Sequence, residues 1–115
     1  MIIVVKFWKE DFRYIARHYC FDDYFYTFSI RGESANYLMN KYHLDYPIIQ
    51  VNVFMNNGSM SITSRAKNGL GFCGAEIKED DYKELMDILQ KEIDNDLRNY
   101  EEWQCNSDYY KKDSR

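Results

Sequence analysis

Proline is nearly missing from this chain: Pro47 is the only one in 115 residues, and glycine occurs just five times. With 45% apolar residues, such a composition argues against a disordered chain. Cysteine is scarce as well. Cys20, Cys73 and Cys105 are odd in number and far apart, which argues against a disulfide framework and predicts reduced thiols in a cytoplasmic protein. Histidine is limited to His18 and His43, and no paired ligand spacing of the structural zinc type occurs, so no metal site is expected. Long apolar runs are lacking. The start from Met1 to Val5 is soon broken by Lys6 and Lys9, too short for a signal sequence or a membrane span.

Aromatic residues are in excess, with eleven Tyr and seven Phe. They can fill or rim a core, or supply anchors at a recognition surface. The length predicts one domain over residues 1–105, followed by a charged, flexible tail at 106–115.

The domain is expected to be organised around Tyr46–Lys67, two strands meeting at Asn57-Gly58, a pair suited to a tight two-residue hairpin turn. That turn pairs Val53 with Ile62, Val51 with Ser64 and Ile49 with Ala66. Alternation then gathers Ile49, Val51, Val53, Met55, Met60, Ile62 and Ala66 on one apolar face. A further strand is expected at Ile2–Trp8, from its β-branched and aromatic residues, and another at Tyr24–Ile30. Between them, Phe12, Ile15, Ala16 and Tyr19 have helical spacing, while Phe12, Tyr14, Ala16, His18 and Cys20 alternate as in a strand, so both readings stay open. Ala35, Leu38, Met39 and Tyr42 predict a helix capped by Ser34 and ending before Tyr46-Pro47. Glu79, Asp80 and Asp81 open the longest helix. Its apolar stripe runs through Tyr82, Leu85, Leu89, Ile93, Leu97 and Tyr100 and is widened by Met86, Ile88 and Trp103. The fold class is α+β: a two-layer sandwich in which two or three helices, including the long C-terminal one, cover a partly antiparallel sheet of about four strands.

Gly69-Leu-Gly-Phe-Cys-Gly74 matches G-x-G-x-x-G, but a dinucleotide site needs those glycines between a parallel strand and its crossover helix. A hairpin strand precedes them here, so no cofactor is expected and the segment reads as a flexible surface loop. Adjacent carboxylates such as Asp22-Asp23 point apart and make poor acid–base pairs.

Charge is distributed unevenly. Between Glu76 and Glu102 there are eleven acidic and four basic residues, a local balance of −7 in a chain of net charge −4. Pairs such as Asp87–Lys91 and Asp94–Arg98 would make this an ordinary solvated helix face. The sharper alternative is an acidic surface for a basic partner, with Lys6, Lys9, Arg13, Arg17 and Arg31 grouped on the opposite side. The negative charge disfavours direct nucleic-acid binding. It suits a non-enzymatic inhibitor docking on a nucleic-acid-handling protein, in the manner of anti-CRISPR, anti-restriction or immunity proteins. The expected contact residues are Glu84, Asp87, Asp94, Glu101 and Glu102, with Tyr100, Trp103 and Phe72 as apolar anchors. The competing readings are a small enzyme or enzyme subunit using the Gly69–Gly74 loop and Cys73, and a homo-oligomer that buries its aromatic surplus.

Overall fold

The computed structural model describes residues 5–20 and 23–113, and side-chain surroundings within 5–19 and 23–99. After a short 3-10 turn at Lys9–Asp11 come β1 (Phe12–Cys20), β2 (Asp23–Ile30), α1 (Gly32–Tyr42), β3 (Ile48–Phe54), β4 (Met60–Arg65), β5 (Phe72–Glu76) and α2 (Glu79–Asp113). The sheet has five strands in the order β1-β2-β3-β4-β5, and every neighbouring pair is antiparallel. The α+β class is as expected. The sheet is one strand larger than expected and antiparallel throughout. Among the described residues no helix is long and apolar enough to cross a membrane.

Strand alternation aims Tyr26, Phe28, Ile30, Ile49, Val51, Val53, Met60 and Ile62 at the helices. They share a buried cluster with Ala35, Leu38 and Tyr42 of α1 and Leu85, Leu89 and Ile93 of α2. The opposite face, with Arg13, His18, Phe25, Asn52, Phe54 and Arg65, carries no helix. There Phe25 stacks on His18 at 5.0 Å and lies 4.9 Å from Phe54.

The central hairpin keeps its predicted faces in a different register. Val53 opposes Met60, Val51 opposes Ile62 and Ile49 opposes Ser64, a shift of two residues. The loop runs from Met55 to Gly58: Phe54 N–H donates to Ser59 O at 2.9 Å and Gly58 N–H to Phe54 O at 3.1 Å. A two-residue turn would need Met55 to pair with β4, but β2 holds it: Met55 N–H donates to Tyr24 O at 3.0 Å, and Asn56 N–H to Asp23 Oδ1 at 2.9 Å. Because the shift is even, no side chain changes face.

Residues 12–20 take the strand alternative, with a bulge between Tyr14 and Ala16. The inserted residue resets the alternation, so Tyr14 and Arg17, three apart, both face α2. The expected strand at Ile2–Trp8 is absent over residues 5–8, which carry no regular structure, and its first residues lie outside those described. Instead of joining the sheet, this segment packs across α1. Phe7 meets Phe12 and Tyr37 edge-on, and Trp8 N–H donates to Ser34 Oγ at 2.9 Å.

That contact also corrects the expected cap. Ser34 lies inside α1 as its third residue, and its own N–H is one of the free amides of the first turn, donating to Asp11 Oδ2 at 3.1 Å. A carboxylate from outside the helix takes the capping role. Gly32 makes room for it. Its φ is +66°, and a Cβ there would sit 2.7 Å from Asp11 Oδ1. α1 ends as expected, with His43 in the left-handed region at φ 54° and Leu44 N–H bonded to Met39 O. α2 stays helical to Asp113, through most of the stretch expected to form a tail.

Candidate functional site

The apolar stripe of α2 is interrupted by two carboxylates, Asp81 and Asp96, each on the turn next to a buried leucine or isoleucine. Asp81 has no solvent exposure. It accepts hydrogen bonds from Tyr37 Oη at 3.0 Å and Tyr42 Oη at 2.7 Å, and pairs with Lys6 Nζ at 3.0 Å and Lys41 Nζ at 2.9 Å. Tyr42 Oη in turn accepts the Lys78 amide at 2.9 Å. One carboxylate thus joins the N-terminal segment, α1 and the start of α2. Burial opposes its ionisation, but the donors from Lys41, Tyr42, Lys6 and Tyr37 outweigh this and hold the group below the usual carboxylate value. Burial, together with the hydrogen bond to Asp81, raises the Tyr42 phenol to about 12.

Asp96 repeats the arrangement about four turns further along α2, over β1 on the same face of the sheet. Arg17 Nη1 lies 2.9 Å from Asp96 Oδ2, and Tyr14 Oη donates to Oδ1 at 3.1 Å. Burial and the hydrogen bond to Asp96 both push the Tyr14 phenol up. Lys6 and Arg17, expected in an exposed basic patch, are therefore taken up by partly buried pairing with α2. Of the remaining patch, Arg13 and Arg31 line a shallow depression with Glu10, Asp11 and Ser29, so its charge is locally offset.

With Asp81 and Asp96 turned inward, the outer face of α2 presents the remainder. Glu79, Asp80, Glu84, Asp87, Glu92 and Asp94 are exposed, against Lys83, Lys91 and Arg98. Asp80 pairs with Lys41, and Glu84 with Lys6 at 3.2 Å. Among the described residues no ion pair joins Asp87 to Lys91 or Asp94 to Arg98. Asp94 accepts from Gln90 at 2.8 Å, and Arg98 donates to Asn95 Oδ1 at 2.6 Å. Asp80, Asp87, Asp94 and Glu101 are seven residues apart, which sets their Cα atoms about 10.5 Å apart along one stripe. Glu101, Glu102, Tyr100 and Trp103 follow on the same helix, and their side-chain surroundings lie outside those described.

Phe72 is not part of this surface. It stands on β5 opposite Arg65, on the sheet face away from the helices, and is exposed. The glycine-rich segment is ordered differently from the expected loop, since its second half, from Phe72 on, belongs to β5. Gly69 turns the chain at φ +76°, Gly71 lies under the Tyr46 ring, and Gly74 belongs to the strand. The flanking strands β4 and β5 are antiparallel neighbours, so the phosphate-cradling arrangement of a parallel strand and its crossover helix is not built here. Cys73 points to the helix side, half-buried, with Sγ 2.9 Å from Ser64 Oγ. Among the described residues no three His, Cys, Asp or Glu side chains group closely enough to hold a metal ion.

Asp81 and Asp96 were missed as structural centres. The available signal was a carboxylate in register with Leu85, Leu89 and Ile93, where a solvated helix face would not place one. Compared with protein-family models, with curated proteins and with solved structures, the chain matches none.

Proposed function

We propose that the chain is a non-enzymatic binding protein that docks the outer face of α2 on a basic surface of a nucleic-acid-handling protein and inhibits it. One observation carries this reading. Asp81 and Asp96 are turned inward and paired, while Asp87 and Asp94 stand outward in no ion pair among the described residues. A solvated helix face held by its own i to i+4 ion pairs would look different. Fixed negative charge at regular spacing on a stiff helix raises the rate of encounter with a basic surface, and apolar neighbours then slow dissociation. The anchors we assign are Tyr100 and Trp103, further along α2. Phe72, on the far side of the sheet, is not assigned to this contact. The setting we assign is cytoplasmic, from the odd and dispersed cysteines.

The test begins with capture of the partner by a tagged chain and its identification by mass spectrometry. Titrations over a salt series then compare the wild type with the triple variant Asp87→Lys, Asp94→Lys, Glu101→Lys. The expected result is at least about a tenfold loss of affinity at low salt and a flatter salt dependence. Equal affinity and equal salt slope would remove the outer α2 face from the account.

A further inference from the structure

The sheet has two edges, and they differ. The β1 ladder is broken by the bulge between Tyr14 and Ala16, a device that discourages edge-to-edge pairing. β5 has no bulge. Ala66 N–H donates to Gly71 O and Ile77 N–H to Met60 O, both at 2.9 Å, so the residues of β5 that bond to β4 are 71, 73, 75 and 77. Phe72, Gly74 and Glu76 therefore turn their N–H and C=O groups away from β4, along the open edge. Beside that edge are the two most exposed large apolar side chains among the described residues, Leu70 at 88% and Phe72 at 71%.

We infer that β5 pairs with β5 of a second copy of this chain, antiparallel about a two-fold axis through Gly74, extending both sheets into one. This register is the one that engages all three outward residues on both strands: Phe72 with Glu76 of the second copy, Gly74 with Gly74, Glu76 with Phe72. Its side chains are complementary. On the open face Arg65 lies opposite Phe72, and Ser61 opposite Glu76, within one chain. Pairing then produces rows in which Arg65, Phe72 and the second copy's Glu76 follow one another. The guanidinium and the carboxylate stand two strands apart, about 10 Å at the backbone, within reach across the ring. At the axis, Gly74 opposite Gly74 leaves no side chains to collide. Glu76 has no cationic partner among the described residues of its own chain and would gain one. The inference is independent of the role assigned to α2, which lies against the other face.

The experiment measures mass by light scattering and sedimentation equilibrium over about a thousandfold range of chain concentration. The wild type is expected to pass from monomer to dimer. Glu76→Arg places like charges in each row and is expected to weaken dimerisation about tenfold or more. The exchange Arg65→Glu with Glu76→Arg restores opposite charges and is expected to recover dimerisation to within about threefold of wild type. Gly74→Pro removes an outward N–H that β4 does not use, and is expected to leave a folded monomer. If that variant does not fold, the charge exchange decides by itself. A wild type that stays monomeric throughout, or a dimer equally stable in Glu76→Arg, overturns the inference. So does a charge exchange that fails to restore association.

Discussion

Replacing Asp81 by Asn keeps its size and removes the charge that Lys6 and Lys41 share. The two ammonium groups retain some access to water, so the expected loss is about 2–3 kcal/mol in urea unfolding, toward the low end for a broken buried pair. The pH dependence follows from the shifts. The carboxyl of Asp81 is lower in the folded chain than its usual 3.8, so its contribution is present above that pH and lost as pH falls through the folded value. Tyr42 is raised from 10.0 to about 12, so its contribution is complete below pH 10 and lost as pH rises toward 12. Asp81→Asn should flatten the acid limb of the stability profile, and Tyr42→Phe the alkaline limb. Gly71 offers a separate check. A Cβ there would lie 2.2 Å from the Tyr46 ring. Gly71→Ala should cost about 1–3 kcal/mol, and Tyr46→Ala in the same chain should absorb part of that cost, as a double-mutant cycle would show.

At the level of elements, β1 matters most for how its bulge is used. In an unbroken alternation Tyr14 and Arg17, three apart, would point to opposite faces and Asp96 could bind one of them at most; the bulge at Ile15 turns both toward α2. Arg17→Ala should cost about 2 kcal/mol or more, because a half-buried carboxylate loses its charged partner. Ile15→Ala keeps the bulge at an exposed position and should stay within about 0.5 kcal/mol, a contrast that thermal unfolding resolves. The bulge also accounts for the ambiguity of residues 12–20 in the sequence. An extra residue breaks the period of two, and what remains mimics helical spacing. α2 was easier to read because its stripe repeats over several turns, yet that stripe also hid Asp81 and Asp96 behind a simple charge count.

Across the whole molecule, unpaired negative charge gathers on the outside of the helix layer, while the open sheet face carries Arg13 and Arg65 against Asp23 and Glu76. Since Asp87 and Asp94 are exposed and make no ion pair among the described residues, reversing either to Lys should change stability by less than about 0.5 kcal/mol while changing partner binding, which keeps the two readouts separable. The existence of β2, the central hairpin, α1 and α2 was legible because each has a clear period and recognisable ends. Less legible were β5, whose Gly74 and the Gly69 and Gly71 just before it look like a loop until the strand is paired with β4, and residues 5–8, whose strand-like composition serves packing against α1.

Alternation and helical period are local properties, so residue order by itself determined which apolar side chains of β3, β4 and α2 turn to the core, and an even slip in the hairpin could not change that. Which carboxylates are structural and which remain free was decided only on folding. Lys6, Arg17, Tyr14 and Tyr42 reach Asp81 or Asp96 from far along the chain, and the proximity of such partners is a product of packing that no local pattern encodes.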